Sequence, residues 1–273
     1  MSRLAQIVAS KRAEIAAGPT CAHVCRRDGS LDVVGALRRR RSAGGRDPAP
    51  PAPLRLLAEV KLRSPSAGAL QPAGAGGEGG ARALAYARAG ASLVSVLCDG
   101  PFFGGSFEHL DAARRALDAH GLAVPLLAKE FVLEEVQLDW ARAHGADSAL
   151  LIARIVTPER LATLVAAARE RSLEPLVEVY DEDELRAALD ADARVIGVNA
   201  RDLDTLVIDT ARAAALLAAI PGDRVAIHLS GVKNAEDVRA LAGSRADGAL
   251  VGEALMRADD PEPLLRAMVA AAT

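Results

Sequence analysis

The sequence predicts an α/β protein, a closed (β/α)8 barrel (TIM barrel) with an N-terminal helical extension. From residue 54 onward, eight short apolar runs alternate with segments in which apolar residues recur at helical spacing. Strands this apolar are normally buried on both faces of a sheet. Parallel strands joined by helices bury both faces, because the helices cover the sheet on each side. The length of 273 residues fits one barrel of about 250 residues, although it also allows two smaller domains. Eight repeating units without a switch point favour the closed barrel over an open, doubly wound sheet.

The first predicted element is a short amphipathic helix at the N-terminus. Apolar residues such as Leu4 and Ile7 are interspersed with charged residues such as Lys11. The uninterrupted apolar segment of a signal peptide is therefore missing, and no window reaches the roughly 18 consecutive apolar residues of a membrane span. We expect a cytoplasmic, reduced protein.

A basic and proline-rich segment, residues 38–53, follows this helical region. It is interpreted as a helix end followed by a linker into the first strand. Its four consecutive arginines lack interleaved aromatic residues, so a solvated surface is favoured over a site for polyanions. The predicted domains are thus an N-terminal helical extension and linker, 1–53, and a barrel catalytic domain, 54–273.

The strands and helices of the predicted barrel follow in regular order. The eight strands span residues 54–61, 93–97, 124–129, 148–152, 175–180, 194–199, 225–229 and 248–251. Helical segments between them include 81–90, 107–121, 133–145 and 158–172, and several end in glycine, as helices often do. The Gly-rich stretch 71–80 after the first strand is equally compatible with a mobile lid at the barrel mouth and with a plain flexible loop.

The composition limits the classes of function. Hydrophobic residues make up 51% of the chain and aromatic ones 3%, so the core must consist mostly of Ala, Leu and Val. The formal net charge of -3 provides no overall positive field for nucleic acid or an anionic membrane, whereas a small anionic ligand needs only local charge. Cys21, His23 and Cys25 lack the second ligand pair of a zinc site, so no metal is expected. Cys98 ends an apolar run and is predicted to lie in the core.

Charged side chains gather at the carboxyl ends of the predicted strands, which form the open mouth of a barrel. The first strand ends in Glu59 and Lys61, two residues apart and therefore on one face. Lys129 ends the third strand, Glu178 lies in the fifth, and Asn199 ends the sixth. Two lysines and two carboxylates at one mouth form a set in which burial and opposite charge tune proton affinities, as acid–base chemistry requires.

Small residues follow the last two predicted strands. Ser230 and Gly231 come after the seventh strand, and Gly252 comes after the eighth. Such residues let backbone N–H groups approach a ligand in the region where phosphate commonly binds in this architecture. Together with the acid–base set, they predict a small phosphorylated substrate.

Seven motifs, in the same order along the chain, resemble those of the indole-3-glycerol phosphate synthase family. They are AEVKLRSPSAG (58–68), SVLCDGPFFGGSFEHL (95–110), LLAKEFVLEEVQ (126–137), GADSALLIARI (145–155), PLVEVYDEDEL (175–185), IGVNARDLDTL (196–206) and LVGEALMRADDPE (250–262). The resemblance covers residues 54–268, and a weaker similarity extends to the N-terminal helix. It implies a carbon–carbon lyase of tryptophan biosynthesis that closes the indole ring of 1-(2-carboxyphenylamino)-1-deoxyribulose 5-phosphate. Carbon dioxide and water are released, without a metal or organic cofactor.

The resemblance also implies roles for individual residues. Lys129 matches the general acid on the ribulose carbonyl, and Lys61 matches the lysine that holds the substrate's anionic groups and takes part in proton transfer. Glu178 matches the acid–base carboxylate of dehydration, Glu59 the carboxylate that orients the lysines, and Asn199 a polar residue of the catalytic set. The implied substrate-binding residues are Ser64, Ser66, Arg201, Ser230, Gly231, Gly252 and Glu253, with Phe103, Phe131 and Leu150 as apolar walls around the anthranilate ring.

One departure from the family pattern concerns the end of the seventh strand, where Leu229 replaces an active-site carboxylate. Losing that anion should lower the pKa values of the two lysines unless Glu59 and Glu178 compensate. Adjacent strand residues face opposite ways, so His228 should be packed towards the helices and should not replace the carboxylate. Smaller departures, Glu130 for Asp and Ala200 for Asn or Ser, should be tolerable.

Two other functions are compatible with parts of this pattern. A diverged paralogue could keep the barrel and the phosphate site but act as a binding or partner protein, with its chemistry lost at Leu229. Another phosphate-binding barrel such as phosphoribosylanthranilate isomerase is disfavoured by Lys61, Lys129 and Glu178. Beyond a small phosphorylated substrate, with no nucleic acid and no membrane, we expect a monomer or weak homo-oligomer that could associate with other tryptophan-pathway enzymes.

Overall fold

The computed structural model describes residues 2–18, 29–40, 52–64, 68–69 and 78–273. The segment with Cys21, His23 and Cys25 lies outside the described residues, as do Ser66 and most of the stretch 71–80. The structural statements below concern the described ranges. Among these residues, no helix is both long and apolar enough to cross a membrane.

Eight parallel strands close into a barrel, and each pairs with its neighbours in chain order, with the last strand pairing with the first. They are β1 (Arg55–Val60), β2 (Leu93–Leu97), β3 (Leu126–Lys129), β4 (Ser148–Ile152), β5 (Glu174–Val179), β6 (Val195–Asn199), β7 (Val225–Leu229) and β8 (Gly248–Val251). The predicted (β/α)8 barrel is therefore confirmed, with strand bounds within two residues of those predicted. A short antiparallel hairpin, Arg63–Ser64 with Gly68–Ala69, follows β1.

Helices alternate with the barrel strands, as the apolar periodicity predicts. The described helices are α1 (Arg3–Ala17), α2 (Val33–Leu37), α3 (Glu78–Arg88), α4 (Gly100–Phe103), α5 (Phe107–Ala119), α6 (Glu135–Ala143), α7 (Pro158–Glu170), α8 (Glu182–Asp190), α9 (Thr210–Ala219), α10 (Ala235–Ala242), α11 (Glu253–Arg257) and α12 (Glu262–Ala270). Most begin at a polar residue that caps free backbone N–H groups; Thr157 at α7 and Asn234 at α10 are examples.

The apolar residues divide into an inner and an outer core because successive strand side chains point to opposite faces. Leu57, Leu93 and Leu127 belong to the cluster inside the barrel. Ala58 and Val94 belong to the larger cluster between the strands and the helices. Cys98 is a buried free thiol of this outer core, as predicted.

Carboxylates just before two strands tie the amino-terminal end of the barrel together. Asp147 precedes β4, and its Oδ2 accepts a hydrogen bond from the backbone N–H of Leu126 at 3.0 Å. Asp247 precedes β8, and its Oδ2 accepts one from Ala226 at 2.8 Å. Each bond joins a strand to the start of the strand before it, so the order of the strands is reinforced where the sheet begins.

The two described helices of the N-terminal extension cover opposite ends of the barrel. Leu4 of α1 donates its backbone N–H to Asp204 Oδ1, 3.0 Å away in the loop after β6, so α1 lies over the carboxyl ends of the strands. Leu31, just before α2, donates to Asp147 Oδ1 at 2.8 Å, so α2 lies at the amino ends. Both helices add apolar side chains to the inner cluster, for example Ile7 and Leu37.

The prediction that the arginine run forms a solvated surface is wrong for Arg39. Its side chain is buried, and the guanidinium donates to the carbonyl oxygens of Ala52 and Ala242, the latter at 2.7 Å. A guanidinium can be buried where carbonyl acceptors satisfy its donors. Arg39 thus fastens the linker to α10, whereas Arg40 is exposed as predicted.

Candidate active site

A cavity of about 370 Å³ opens at the carboxyl ends of the strands. It is lined by thirteen of the fifteen predicted site residues: Glu59, Lys61, Phe103, Lys129, Phe131, Leu150, Glu178, Asn199, Arg201, Ser230, Gly231, Gly252 and Glu253. Of the other two, Ser66 lies outside the described residues, and the side chain of Ser64 is not described. Side chains from distant parts of the sequence therefore meet at one site, as the rule for barrel strand ends predicts.

The charged side chains alternate in sign across the mouth. Lys61 Nζ lies 2.5 Å from Glu59 Oε1. Lys129 Nζ lies 3.9 Å from Glu59 Oε2 and 3.6 Å from Glu178 Oε2. Lys129 is thus placed between two carboxylates, and Glu59 between two ammonium groups.

Small neighbours make room for these charges. Glu59 pairs in register with Ser95 of β2, and Glu178 pairs with Gly197 of β6. At Gly252, an added Cβ would lie 2.7 Å from Glu59 Oε1 and 3.3 Å from Lys61 Nζ. Gly252 therefore has a packing role that the sequence did not reveal, because any side chain there would push into the Lys61–Glu59 pair.

The surroundings shift the proton affinities of this set. Burial alone would raise the pKa of Glu59, but the Lys61 and Lys129 charges outweigh it and hold that pKa below its usual value. Burial alone would lower the pKa of Lys129, but Glu178 and Glu59 outweigh it and raise that pKa. Glu178 and Glu59 thus keep Lys129 a cation that can donate a proton, although the position of Leu229 carries no carboxylate.

Asn199 connects the acid–base set to the backbone. Its Nδ2 donates to Glu178 Oε1 at 2.9 Å, and its Oδ1 accepts the backbone N–H of Arg201 at 3.0 Å. Arg212 of α9 donates to the Asn199 carbonyl at 2.8 Å and to the Tyr180 carbonyl, and its guanidinium lies 3.5 Å from the centre of the Tyr180 ring. The ends of β5 and β6 are therefore joined immediately behind Glu178.

The loop after β7 has an unusual backbone. Ser230 and Gly231 have φ of 69° and 91°, both in the left-handed region, which a serine rarely adopts. Both residues line the cavity, together with Val232 and Lys233 of the same loop. A strained turn at the rim of a cavity is a common feature of ligand sites.

Leu229 and His228 lie as the alternation of β7 predicts. Leu229 lines the cavity and packs inside the barrel: its Cδ1 lies 2.7 Å from where a Cβ on Gly197 would be. His228 is buried and is not among the residues that line the cavity, and burial lowers its pKa. His228 therefore does not supply a polar group in place of the missing carboxylate.

Several cavity residues were missed by the sequence analysis. Arg3, Leu4 and Ile7 of α1 line the cavity, although α1 ends about forty residues before the first barrel strand begins. Lys233 and Arg257 add cations near the small residues after β7 and β8. A search of the loops up to about six residues beyond each strand would have found these two, whereas no signal in the sequence places α1 at the mouth. Among the described residues, no group of three or more His, Cys, Asp or Glu side chains could hold a metal ion.

The protein is a closed parallel barrel, and the cavity at its mouth contains lysine ammonium groups paired with carboxylates. These features place it in the class of TIM-barrel enzymes. The profile of the family described as indole-3-glycerol phosphate synthase matches residues 4–268. The indole-3-glycerol phosphate synthase of Micrococcus luteus is 43% identical to this chain over 221 residues, which cover 81% of this chain and 80% of that protein. The indole-3-glycerol phosphate synthase of Mycobacterium ulcerans is 40% identical to this chain over 243 residues, which cover 89% of this chain and 82% of that protein. The chain belongs to the indole-3-glycerol phosphate synthase family, and it is a carboxy-lyase of tryptophan biosynthesis.

Solved structures with low sequence identity share the barrel. A 3-hexulose-6-phosphate synthase superposes with a TM-score of 0.59 at 19% identity, covering 81% of this chain and all (100%) of that one. The tryptophan synthase alpha subunit from Legionella pneumophila gives 0.58 at 14% identity, covering 81% and 92%. These similarities confirm the TIM-barrel fold.

Proposed function

We propose that the chain converts 1-(2-carboxyphenylamino)-1-deoxyribulose 5-phosphate to indole-3-glycerol phosphate by lysine–carboxylate acid–base catalysis. The observation that supports this most directly is the position of Lys129, whose ammonium lies 3.6 Å from Glu178 and 3.9 Å from Glu59 inside the cavity. The reaction needs a cation beside a carbonyl and a carboxylate within reach of the same carbons, which is what these three side chains offer.

Ring closure is the step assigned to Lys129. The aromatic carbon that bears the carboxylate attacks the ribulose carbonyl carbon, and negative charge develops on the carbonyl oxygen. The Lys129 ammonium stabilises this charge and donates a proton to it. The raised pKa of Lys129, due to Glu178 and Glu59 overcoming the effect of burial, favours the charged, proton-donating form. Carbon dioxide then leaves, and the electrons of the broken bond restore the aromatic ring.

Dehydration is divided between a carboxylate and a lysine. The hydroxyl formed in the first step must leave as water, so it needs a proton from an acid, and a base must take the proton that allows the new double bond to form. Glu178, held by Asn199 at 2.9 Å, and Lys61, paired with Glu59, are the groups proposed for these transfers. Glu59 holds both lysines and is proposed to orient them.

The remaining lining residues suit the two ends of the substrate. The rings of Phe103 and Phe131 lie 5.9 Å apart at 33° and, with Leu150, form an apolar wall proposed to hold the anthranilate ring. Ser230, Gly231 and Gly252 are proposed to receive the phosphate, with Lys233 and Arg257 supplying positive charge nearby. Arg201 and Glu253 complete the polar part of the pocket. A cytoplasmic location is part of this proposal.

The test is the growth of indole fluorescence after mixing the purified protein with the carboxyphenylamino substrate. Wild type should produce the signal, and Lys129→Ala should lose about a hundredfold to ten-thousandfold in kcat while its circular dichroism stays that of the folded protein. A Lys129→Ala variant as active as wild type would refute the role of that lysine. No fluorescence from a folded wild type would refute the proposed reaction.

A diverged binding protein is the second candidate, and Leu229 is the observation that favours it. An apolar side chain stands where the resembled family has a carboxylate, and it packs against Gly197 and Leu176 inside the barrel. Calorimetry with the same substrate separates the two functions. Heat of binding without growth of indole fluorescence would favour the binding protein.

A further inference from the structure

A second cluster of buried charges lies beside the catalytic set and has no part in the proposed reaction. Its centre is Lys11 of α1, whose side chain is only 2% exposed. Its Nζ lies 2.7 Å from Glu14 Oε2, 3.1 Å from Asp99 Oδ1 and 3.0 Å from Glu130 Oε1. Because Asp99 follows β2 and Glu130 follows β3, one ammonium joins the N-terminal helix to two strand ends.

Both barrel carboxylates of this cluster hold the aromatic wall of the cavity. Asp99 caps α4: its Oδ2 accepts the backbone N–H groups of Phe102 at 2.9 Å and Phe103 at 3.2 Å. Glu130 Oε1 accepts the backbone N–H of Phe131 at 2.7 Å. The rings of Phe103 and Phe131 face each other across 5.9 Å. Lys11 therefore lies between the two groups that fix the backbone of these two phenylalanines.

The same face of α1 contributes directly to the cavity. Leu4, Ile7 and Lys11 are spaced three and four residues apart, so they lie along one side of the helix. Leu4 and Ile7 line the cavity, and the backbone of Leu4 is bonded to Asp204. The helix is thus attached to the barrel near its start, where Leu4 bonds to Asp204, and in its middle through Lys11, with the cavity-lining Ile7 between the two attachments.

We propose that Lys11 is a positioning residue for substrate binding, one that holds α1 over the mouth and sets the Phe103–Phe131 wall without touching the substrate. The identity of the bound ring as anthranilate rests on the proposed function, but the docking of α1 does not. Loss of the ammonium leaves buried carboxylates without their counter-charge, which is strongly unfavourable. Burial already raises the pKa of Glu130 to about 7 against the opposing effect of Lys11. Lys11→Met removes the ion pairs that join α1 to Asp99 and Glu130, so α1 will leave the mouth.

The chain offers a closely matched control for this test. Arg12 is the next residue on α1, carries the same charge and is exposed. Lys11→Met and Arg12→Met each remove one cation from the helix and leave an unbranched side chain of similar length. Any difference between them comes from the buried position and not from net charge or helix propensity.

Hydrogen exchange tests the docking of α1 without any substrate. In Lys11→Met, the backbone amides of α1 should exchange at least about tenfold faster than in wild type, and in Arg12→Met they should keep wild-type protection. Equal protection of α1 in the two variants would overturn the proposal. This outcome does not depend on the proposed reaction, so the two can fail separately.

Kinetics test the link to binding. In Lys11→Met, KM should rise about tenfold with kcat changed less than about threefold, because the acid–base groups stay while the apolar wall loosens. If Lys11→Met does not fold, Asp99→Asn replaces it: asparagine still caps α4 but loses the charge that faces Lys11. A wild-type KM in the Lys11→Met or Asp99→Asn variant would overturn the proposal.

Discussion

Leu229 is the residue at which the family resemblance implies a departure in the chemistry of this site. Replacing it by glutamate would add an anion to the cavity that Lys61 and Lys129 also line, which favours their charged forms. We expect Leu229→Glu to raise kcat/KM or leave it unchanged in the indole fluorescence assay. Leu229→Gln, which has the same shape without the charge, is the control. A large loss of activity in Leu229→Glu alone would mean that the site has been rebuilt around the leucine.

Gly252 is the residue whose size matters most to the paired charges. A methyl group there would come within 2.7 Å of Glu59 Oε1, so Gly252→Ala must displace the Lys61–Glu59 pair. We expect kcat/KM to fall by about tenfold or more, since small displacements of catalytic groups are costly. Gly243→Ala is the control, because its added carbon would meet only the Ala240 carbonyl oxygen, at 3.6 Å. Equal activity of the two variants would show that the pair tolerates the shift.

Individual site residues could be predicted from the sequence where a strand places them. Glu59, Lys129 and Glu178 were found by asking what each apolar run ends with, because the carboxyl ends of parallel strands meet at one mouth. The packing role of Gly252 could not be found in this way, since it depends on how close a neighbouring strand brings another side chain. The burial of Arg39 was also hidden, because one of its acceptors, the Ala242 carbonyl, lies 203 residues further along the chain.

Glu130, which pairs with Lys11 of α1, is expected to make the stability of the fold depend on pH. Burial raises the pKa of this carboxyl to about 7 in the folded protein, against about 4.5 in the unfolded chain. The folded state therefore binds more protons between these values, so this group lowers the free energy of unfolding as pH rises from about 4.5 to 7. Glu130→Gln cannot titrate. Its stability relative to wild type should rise by about 3 kcal/mol over that range and then level off.

Urea unfolding of wild type and Glu130→Gln at several pH values between about 5 and 8 measures this difference directly. The folded protein favours the protonated form of Glu130, so the stability of Glu130→Gln relative to wild type should rise with pH. A relative stability that falls with rising pH would contradict this prediction. A difference that is constant across the range would show that Glu130 titrates in the folded protein as it does in the unfolded chain.

At the level of elements, the sequence predicted the strands and missed the position of α1. The eight strands were found because each is a short apolar run bounded by turn residues, which is a local signal. The amphipathic pattern of α1 predicted a helix with one apolar face but could not say what that face covers. Lys11 lies on the covered face, and its two partners in the barrel, Asp99 and Glu130, explain its burial.

At the level of the whole molecule, the barrel and its N-terminal helices form one structure around the site. The barrel brings strand ends from residues 59 to 252 to one mouth, α2 covers the other end, and α1 covers the mouth beside the aromatic wall. The closed barrel was predictable from eight repeating units. Its covering by the N-terminal extension was not, because the contacts join residues about 90 to 200 positions apart.

The most direct measurement is a crystal structure with the carbonyl-reduced form of the substrate, an alcohol that can bind but cannot close the ring. We expect the phosphate against Ser230, Gly231 and Gly252, the anthranilate ring between Phe103 and Phe131, and Lys129 Nζ within about 3.5 Å of the former carbonyl oxygen. A phosphate bound elsewhere, or a Lys129 ammonium beyond hydrogen-bonding distance of that oxygen, would contradict the proposed acid–base site.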